Sequence, residues 1–190
     1  MYDVAIIGGG PAGASAAIFT ARAGLDTVVV DGDKGVTRRA MLHNHLGFPE
    51  GITGPDLVDR GRSQAERSGA KWIGDDVESL RPVDGGFMLT TAGGTSVEAK
   101  EIILTLGTSA RLAEAAGIPT MPGTEPRINT IVPTDEQGRT ALDGVWAAGI
   151  VAGVSPHTIV TAGDGARVAI NLISARNGSR HIDHDILPAG

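Results

Sequence analysis

An apolar run that leads directly into closely spaced glycines constrains the fold of this chain more than any other feature. The wholly apolar stretch Val4 to Ile7 predicts a strand buried on both faces. Gly8, Gly10 and Gly13 follow in the spacing G-x-G-x-x-G, and Pro11 falls where a helix would begin. In such a unit the first glycine permits a tight turn, the second lets a diphosphate approach the backbone, and the third lets helix pack on strand. The run therefore predicts a strand, turn and helix that bind a dinucleotide.

A second apolar run supplies the acidic residue that such a unit requires. Thr27 to Val30 reads as a buried strand, and Asp31 ends it at the distance along the chain where a carboxylate meets a ribose hydroxyl. Asp33 is an alternative ribose ligand. Asp31 is the better candidate because it directly follows the strand.

Composition excludes several classes of function. The 190 residues carry a formal net charge of −6, which argues against a nucleic-acid partner because phosphate binding needs a basic surface. The apolar runs are too short to span a bilayer, so we expect no membrane partner. There is no cysteine, which excludes disulfides, thiolate metal sites and a thiol relay within these residues. The first residues lack the pattern of a signal peptide, so we expect a cytoplasmic protein.

The stretch from Gly32 to Asp56 reads mainly as a long loop, and long loops in compact domains are often functional. Its Arg38 and Arg39 either pair with phosphates or form a solvated basic turn. His43 and His45 have a spacing that suits a metal on a strand, but no third ligand follows nearby, so we predict no metal site. The sequence HIDHD near the end reads as an exposed polar tail.

The rest of the chain reads as alternating strands and helices. Thr53 caps a helix that runs to about Ser68. Glycine turns separate three short alternating segments, which predict a three-stranded antiparallel meander: Asp76 to Pro82, Phe87 to Thr91 and Thr95 to Glu101. The further predicted elements are strands at Lys71 to Ile73, Ile102 to Leu106, Asn129 to Pro133 and Gly144 to Gly149, a short helix at Arg111 to Ala116, a seam at Gly117 to Thr124, and a long helix from His157 to Arg176 that Asn177-Gly178 ends.

Four segments in this order resemble the thioredoxin-reductase-like pyridine nucleotide-disulfide oxidoreductases. They are DVAIIGGGPAGASAA, RRAMLHNHLGFPEGITGPDLVDRGR, IILTLGT, and GRTALDGVWAAG with the following PHTIVTAGDGARVAINLI. The resemblance implies an α/β fold: a Rossmann-like FAD-binding domain with a central parallel sheet and an inserted antiparallel meander. It also implies that residues 1–190 are one such domain, whose halves are segments 1–117 and 128–190. The family inserts an NADPH-binding domain where this chain has only Gly117 to Arg127.

The same resemblance implies which residues hold FAD. The diphosphate lies on the glycine turn, Asp31 binds the adenosine ribose, Val77 meets the adenine through its backbone, and the start of the long helix points its positive end at the flavin. The implied cofactor-binding residues are Gly8, Gly10, Pro11, Ala12, Gly13, Asp31, Arg39, Ala40, Asn44, His45, Leu46, Val77, Gly107, Gly149, Ile150, Thr158 and Val160.

Two positions depart from the family pattern. Leu106 replaces the threonine of the A-T-G turn that ends at Gly107, and Ile150 replaces the aspartate of the A-A-G-D motif. The second departure removes an acceptor for a ribityl hydroxyl, which is worth about 0.5 to 1.5 kcal/mol and weakens FAD binding without abolishing it.

From these features we expect an FAD-dependent oxidoreductase with flavin as its only redox centre. Electrons would be exchanged with a partner protein, a small-molecule substrate or oxygen. The alternatives are a non-catalytic FAD- or nucleotide-binding module and the FAD half of a two-chain reductase. His45 and His157 are candidate proton donors, although the sequence favours turn capping somewhat more for each of them. Because the flavin would lack the cover of an NADPH domain, we also expect a homodimer.

Overall fold

The computed structural model describes residues 1–187. In chain order the elements are β1 (Tyr2–Ile7), α1 (Pro11–Arg22), β2 (Thr27–Val30), β3 (Met41–Leu42), β4 (Ile52–Thr53), α2 (Gly54–Arg67), β5 (Lys71–Ile73), β6 (Val77–Val83), β7 (Gly86–Thr91), β8 (Ser96–Leu104), α3 (Arg111–Ala115), β9 (Met121–Pro122), β10 (Thr130–Ile131), β11 (Val145–Ala147) and α4 (Thr158–Asn177). Short 3-10 helices at Val36–Arg39 and Gly149–Ala152 add to these.

The centre of the fold is a parallel sheet with the strand order β5-β2-β1-β8-β11. The antiparallel pair β6 and β7 joins this sheet at the first half of β8, on the edge opposite β1. This arrangement confirms the predicted fold class, a Rossmann-like parallel sheet with an inserted meander. Because all five central strands run in the same direction, their carboxyl ends meet at one edge of the sheet.

Strand β8 belongs to both parts of the sheet. The sequence predicted two strands here, Thr95 to Glu101 in the meander and Ile102 to Leu106 in the parallel sheet. The structure has one continuous strand, whose residues Ser96 to Ala99 pair with β7 and whose residues Ile102 to Leu104 pair with β11. Burial alternates in the first half and is complete in the second, because only the second half is covered on both faces.

The two faces of the sheet are covered by different elements. Helices α1, α2 and α4 pack on one face, where Ile6, Ile103 and Trp146 are buried. The meander and α3 cover the other face, where Ile7, Leu104 and Phe87 belong to the buried core. The packing of α1 against the sheet and its neighbouring helices places the start of α1 at the carboxyl end of β1. The meander does not cover that end of the sheet.

Two predicted helix ends agree with the structure. The side chain of Thr53 accepts a hydrogen bond from the N–H of Asp56 (3.2 Å) and caps α2, and Gly178 ends α4 with a φ of +67°. The seam at Gly117 to Thr124 contains β9, which forms a small hairpin with β10. The HIDHD segment, which the sequence predicted as an exposed polar tail, instead lies against α1, where Arg22 binds Asp183 at 2.7 Å and leaves the Asp183 side chain only 14% exposed. Among the described helices, none has the length and apolar character needed to cross a membrane.

Candidate functional site

A cavity of about 680 Å³ lies at the carboxyl ends of the parallel strands. Loops that follow β1, β2 and β8 form its walls, together with the start of β6 and the turn after β11. The lining segments are residues 7–12, 30–32, 34–37, 75–78, 105–109, 111–112, 115, 148, 150, 156 and 161. This is the place where open parallel sheets bind ligands, because the loops at this edge diverge and leave a crevice.

The three glycines of the turn are required for different reasons. Gly8 has a φ of +103°, and a Cβ atom there would also overlap the carbonyl oxygen of Thr105. A Cβ atom on Gly13 would overlap the carbonyl oxygen of Gly8, so this glycine lets α1 pack against the end of β1. A Cβ atom on Gly10 would meet no protein atom within 4 Å. Packing therefore explains Gly8 and Gly13, whereas Gly10 faces open space at the cavity wall.

The start of α1 is free to bind an anion. Gly10 is the N-cap residue, Pro11 follows it, and the first turn contains no acidic side chain. The N–H of Ala14 donates to the carbonyl of Gly10 (2.9 Å), so the N–H groups of Ala12 and Gly13 precede the first intrahelical bond. Unpaired N–H groups and the positive end of the helix dipole together favour a phosphate at this place.

Asp31 supplies a carboxylate to the same cavity. Its N–H donates to the carbonyl of Ile73 (3.0 Å), which fixes the residue between β2 and β5. Its Oδ2 would lie 2.6 Å from a Cβ on Gly9, so the carboxylate is next to the glycine turn. Asp33 does not line the cavity and pairs with Arg38, which also binds Asp59 at 2.8 Å. Of these two acidic residues, Asp31 therefore lies at the cavity and Asp33 lies outside it.

Charged side chains border the cavity near the start of β6. Lys34 pairs with Asp76, and the bond to this carboxylate raises the pKa of the lysine. Asp75 accepts a hydrogen bond from the N–H of Gly93 (2.9 Å). The hydroxyl of Thr91 and this N–H together hold the pKa of Asp75 below its usual range. Arg111 lines the cavity and forms no ion pair within residues 1–187, so its charge is available to a ligand.

The turn after β11 forms the other end of the cavity. Gly149 has a φ of +78°, and its N–H donates to Asp164 Oδ2 at 2.7 Å. Asp164 is buried on α4 and is also bound by Arg167. Ile150 lines the cavity and belongs to a small apolar cluster with two other isoleucines, Ile128 and Ile131. Packing therefore accommodates the apolar side chain of Ile150, at the position where the family pattern has an aspartate.

The loop that contains His45 reaches the start of α4. His45 Nδ1 and Thr158 Oγ1 are 2.9 Å apart, and burial lowers the pKa of His45. His157 Nδ1 is 2.7 Å from Ser155 Oγ. Neither histidine lines the cavity, but Thr161, one helical turn beyond Thr158, does. The structure thus brings the histidine loop to the edge of the cavity rather than into it.

The cofactor-binding residues that the resemblance implies divide into two groups. Those that line the cavity are Gly8, Gly10, Pro11, Ala12, Asp31, Val77, Gly107 and Ile150. Those that lie behind or beside it are Gly13, Arg39, Ala40, Asn44, His45, Leu46, Gly149, Thr158 and Val160. Gly13 and Gly149 support the turns on which lining residues lie, whereas Arg39, Asn44 and Leu46 are exposed. The assignment of all of these residues to a cofactor stays a prediction.

Sequence reasoning missed three residues that shape the site. Thr105 binds the glycine turn through its hydroxyl, Thr161 lines the cavity, and Asp164 holds the N–H of Gly149. Asp164 carried one signal in the sequence, because it is an acidic residue within a helix face of small residues. Thr105 and Thr161 carried none, since both occur where a buried threonine is ordinary.

Known proteins resemble parts of this chain in sequence. Residues 2–131 match the family model described as pyridine nucleotide-disulphide oxidoreductase. The chain is 44% identical over 115 residues to the thioredoxin reductase of Streptomyces clavuligerus. This alignment covers 57% of this chain and 35% of that protein. It is 38% identical over 120 residues to the bifunctional thioredoxin reductase/thioredoxin of Mycobacterium leprae. This alignment covers 62% of this chain and 26% of that protein. The chain thus spans about a third or less of the length of these relatives.

Solved structures share the fold. The thioredoxin reductase from Gloeobacter violaceus aligns with a TM-score of 0.79 at 18% identity, over 98% of this chain and 99% of that one. The atypical thioredoxin reductase TRi from Desulfovibrio vulgaris Hildenborough aligns with a TM-score of 0.76 at 24% identity, over 94% and 99%. At these identities the likeness is one of fold.

Proposed function

Because this chain belongs to the pyridine nucleotide-disulphide oxidoreductase family, whose members bind FAD, we propose that residues 1–190 form one FAD-binding domain of a flavoprotein oxidoreductase. In this proposal the flavin is the only redox centre carried by these residues. They contain no cysteine, so no dithiol among them can relay electrons.

The observation that supports the proposal most directly is the space at Gly10. A glycine in the middle of the turn is not required by any neighbouring protein atom, yet it lies at the cavity wall beside the free start of α1. A diphosphate that approaches the backbone at this point requires that space. With Asp31 at the end of β2, the residues present fit an adenine dinucleotide.

Each part of the cavity has its own task in this proposal. When bound, FAD supplies a centre that accepts and donates electrons. The start of α1 holds the diphosphate, Asp31 accepts a hydrogen bond from a ribose hydroxyl, and Arg111 offsets negative charge. The turn at Gly149 and the start of α4 border the flavin end, where Ile150 excludes water without providing an acceptor.

The source and destination of the electrons lie outside these residues. In the family an NADPH-binding domain is inserted between the two halves of the FAD domain, and at that place this chain has the hairpin of β9 and β10. We therefore propose exchange with an electron-donor or electron-acceptor protein, with a small-molecule substrate, or with oxygen. One relative combines a thioredoxin reductase and a thioredoxin by its name, so a protein of the thioredoxin kind is one candidate partner.

Spectroscopy tests the cofactor. Purified protein is expected to show flavin absorbance bands, or to acquire them when FAD is added, with one FAD bound per chain. The absence of flavin absorbance together with no uptake of added FAD would contradict the proposal. Titration with ADP and FMN in parallel tells whether the adenine half alone gives the affinity.

Ile150 favours a second candidate function, a nucleotide-binding module without turnover, because its packing replaces an acceptor that the flavin would use. The two functions differ in steady-state kinetics with NADPH, NADH, dithiols and a co-encoded reductase. Turnover with any of these donors supports the oxidoreductase. Bound flavin that dithionite reduces but that no donor turns over supports the module.

We also propose that the chain forms a homodimer in solution. The side chains of Leu46, Ile159 and Val160 are 86%, 39% and 43% exposed, and the bond between His45 and Thr158 keeps their two segments adjacent. A second copy that covers this apolar surface would also shield the flavin end of the cavity. Sedimentation velocity at micromolar concentration is expected to give a dimer, and a strict monomer would contradict this proposal.

A further inference from the structure

The hydroxyl of Thr105 forms an unusual contact between the end of β8 and the glycine turn. Its Oγ1 donates to the carbonyl of Gly8 (2.8 Å) and to that of Ile7 (2.9 Å), as a hydrogen bond shared between two acceptors. The Thr105 N–H also donates to Ile7 (2.9 Å), which continues the ladder between β1 and β8. Thr105 is only 7% exposed, so water does not replace these bonds easily.

The bond to Gly8 fixes the orientation of one peptide unit. In a trans peptide the C=O and N–H groups point in opposite directions. Because the Gly8 carbonyl points at Thr105, the N–H of Gly9 points away from β8. Gly9 and Gly10 both line the cavity. A rotation of the peptide between Gly8 and Gly9 would break the bond to Thr105 and change the surface that the turn presents to a ligand.

Glycine residues make such a rotation easy without an anchor. Gly8 has a φ of +103°, and Gly9 follows it, so neither residue has a Cβ atom that would restrict the backbone. A Cβ on Gly13 would lie 2.8 Å from Thr105 Oγ1, which places the hydroxyl where strand, turn and helix meet. Thr105 is the side chain that supplies a polar anchor at this point.

We propose that Thr105 is a positioning residue, whose hydroxyl holds the glycine turn in the conformation that binds a diphosphate. The A-T-G turn of the family has alanine at this position and threonine at the next, where this chain has Leu106. In this chain the hydroxyl at this turn belongs to Thr105, which bonds the backbone of the glycine turn. The inference rests on the proposed binding of FAD and adds a residue that controls its affinity.

Three variants test the role of the hydroxyl. Thr105→Val keeps the shape and removes the donor, and FAD affinity is expected to fall by up to about tenfold. Thr105→Ser restores the donor and is expected to bind FAD within about twofold of the wild type. Thr27→Val is the matched control, because its buried hydroxyl also bonds a backbone carbonyl, that of Leu25 (3.0 Å), but lies away from the cavity.

Two measurements separate positioning from a merely structural role. FAD affinity is measured by flavin fluorescence, and amide hydrogen exchange at Gly9 and Gly10 is measured without FAD. We expect faster exchange and weaker binding in Thr105→Val alone, with both restored in Thr105→Ser. Unchanged exchange and affinity in Thr105→Val, with a loss of thermal stability like that of Thr27→Val, would overturn the inference. If the wild type takes up no FAD, the proposed function fails, and the exchange rates still decide whether Thr105 fixes the turn.

Discussion

Asp31 and Asp33 form a matched pair of residues for testing the ribose end of the cavity. Asp31→Asn keeps the shape of the side chain but removes a charged acceptor, so FAD affinity is expected to fall about tenfold. Asp33→Asn is the control, because Asp33 pairs with Arg38 outside the cavity, and asparagine tolerates its φ of +59°. Equilibrium titration with FAD checks both variants, and equal losses of affinity would show that Asp31 has no special role.

Alanine substitutions at Gly10 and Gly13 are expected to affect FAD affinity and the stability of the fold differently. Gly10→Ala places a methyl group in open space, so the free energy of unfolding without ligand should change by no more than about 1 kcal/mol. FAD affinity should nevertheless fall more than tenfold, because the methyl group occupies the path of the diphosphate. Gly13→Ala overlaps the carbonyl of Gly8 and should cost about 1 to 3 kcal/mol of stability itself. Urea denaturation and FAD titration measure the two effects. Unaltered FAD binding by Gly10→Ala would contradict the proposed cradle.

The glycines and Asp31 could be predicted from the sequence, because their spacing follows one local pattern that is typical of dinucleotide-binding units. Thr105 was not predictable, since its hydroxyl acts on residues almost a hundred positions earlier, which only the pairing of β1 with β8 brings near. Ile150 was identified as a departure from the family pattern. Its packing with Ile128 and Ile131 follows from the fold and not from neighbours in the sequence.

At the scale of elements, the close packing of α1 against α4 fixes the start of α1 at the cavity. A Cβ on Gly165 would overlap the carbonyl of Ala12, so Gly165→Ala should lower the free energy of unfolding by at least about 2 kcal/mol. Gly163→Ala is the control on the same helix. It is exposed, and a Cβ atom there would meet no atom outside its own stretch of helix within 4 Å, so alanine should stabilise the protein by about 0.5 to 1 kcal/mol. Urea denaturation checks both, and similar values for the two variants would contradict this packing.

Most elements were predictable from hydrophobic pattern and turn residues, but β8 shows where pattern reading stops. Its residues change from alternating to continuous burial near Lys100, and a change of pattern normally separates two strands. Here the change marks the point where the same strand leaves the meander and enters the parallel sheet. Which strands lie beside it is a property of the whole sheet, so no local window of sequence contains it.

At the scale of the whole molecule, one ionic cluster connects the first strand, the centre of the sheet and the last helix. Asp3 on β1 binds Lys100 on β8 and Arg176 on α4, each at 2.9 Å, and accepts from the N–H of Asp26 (3.1 Å). Arg176 also binds Glu101 at 3.1 Å. The cluster lies at the end of the sheet opposite the cavity, because Asp3 and Lys100 precede the carboxyl ends of their strands. Its effect on stability can therefore be measured separately from any effect on the cavity.

This cluster predicts how the stability of the fold depends on pH. The hydrogen bond from Lys100 holds the pKa of Asp3 below its usual value of 3.8, although burial opposes the shift. A carboxyl whose pKa is lower in the folded state stabilises the fold above its unfolded pKa, and the contribution disappears as the pH falls through the folded pKa.

Asp3→Asn should thus cost about 1 kcal/mol at pH 7, and the difference from wild type should shrink from about pH 5 downwards. Asp143→Asn is the control, because Asp143 is exposed and forms no ion pair within the described residues. Urea denaturation at a series of pH values measures the difference, and a gap that stays constant down to pH 3 would show that the cluster does not depend on the ionised Asp3.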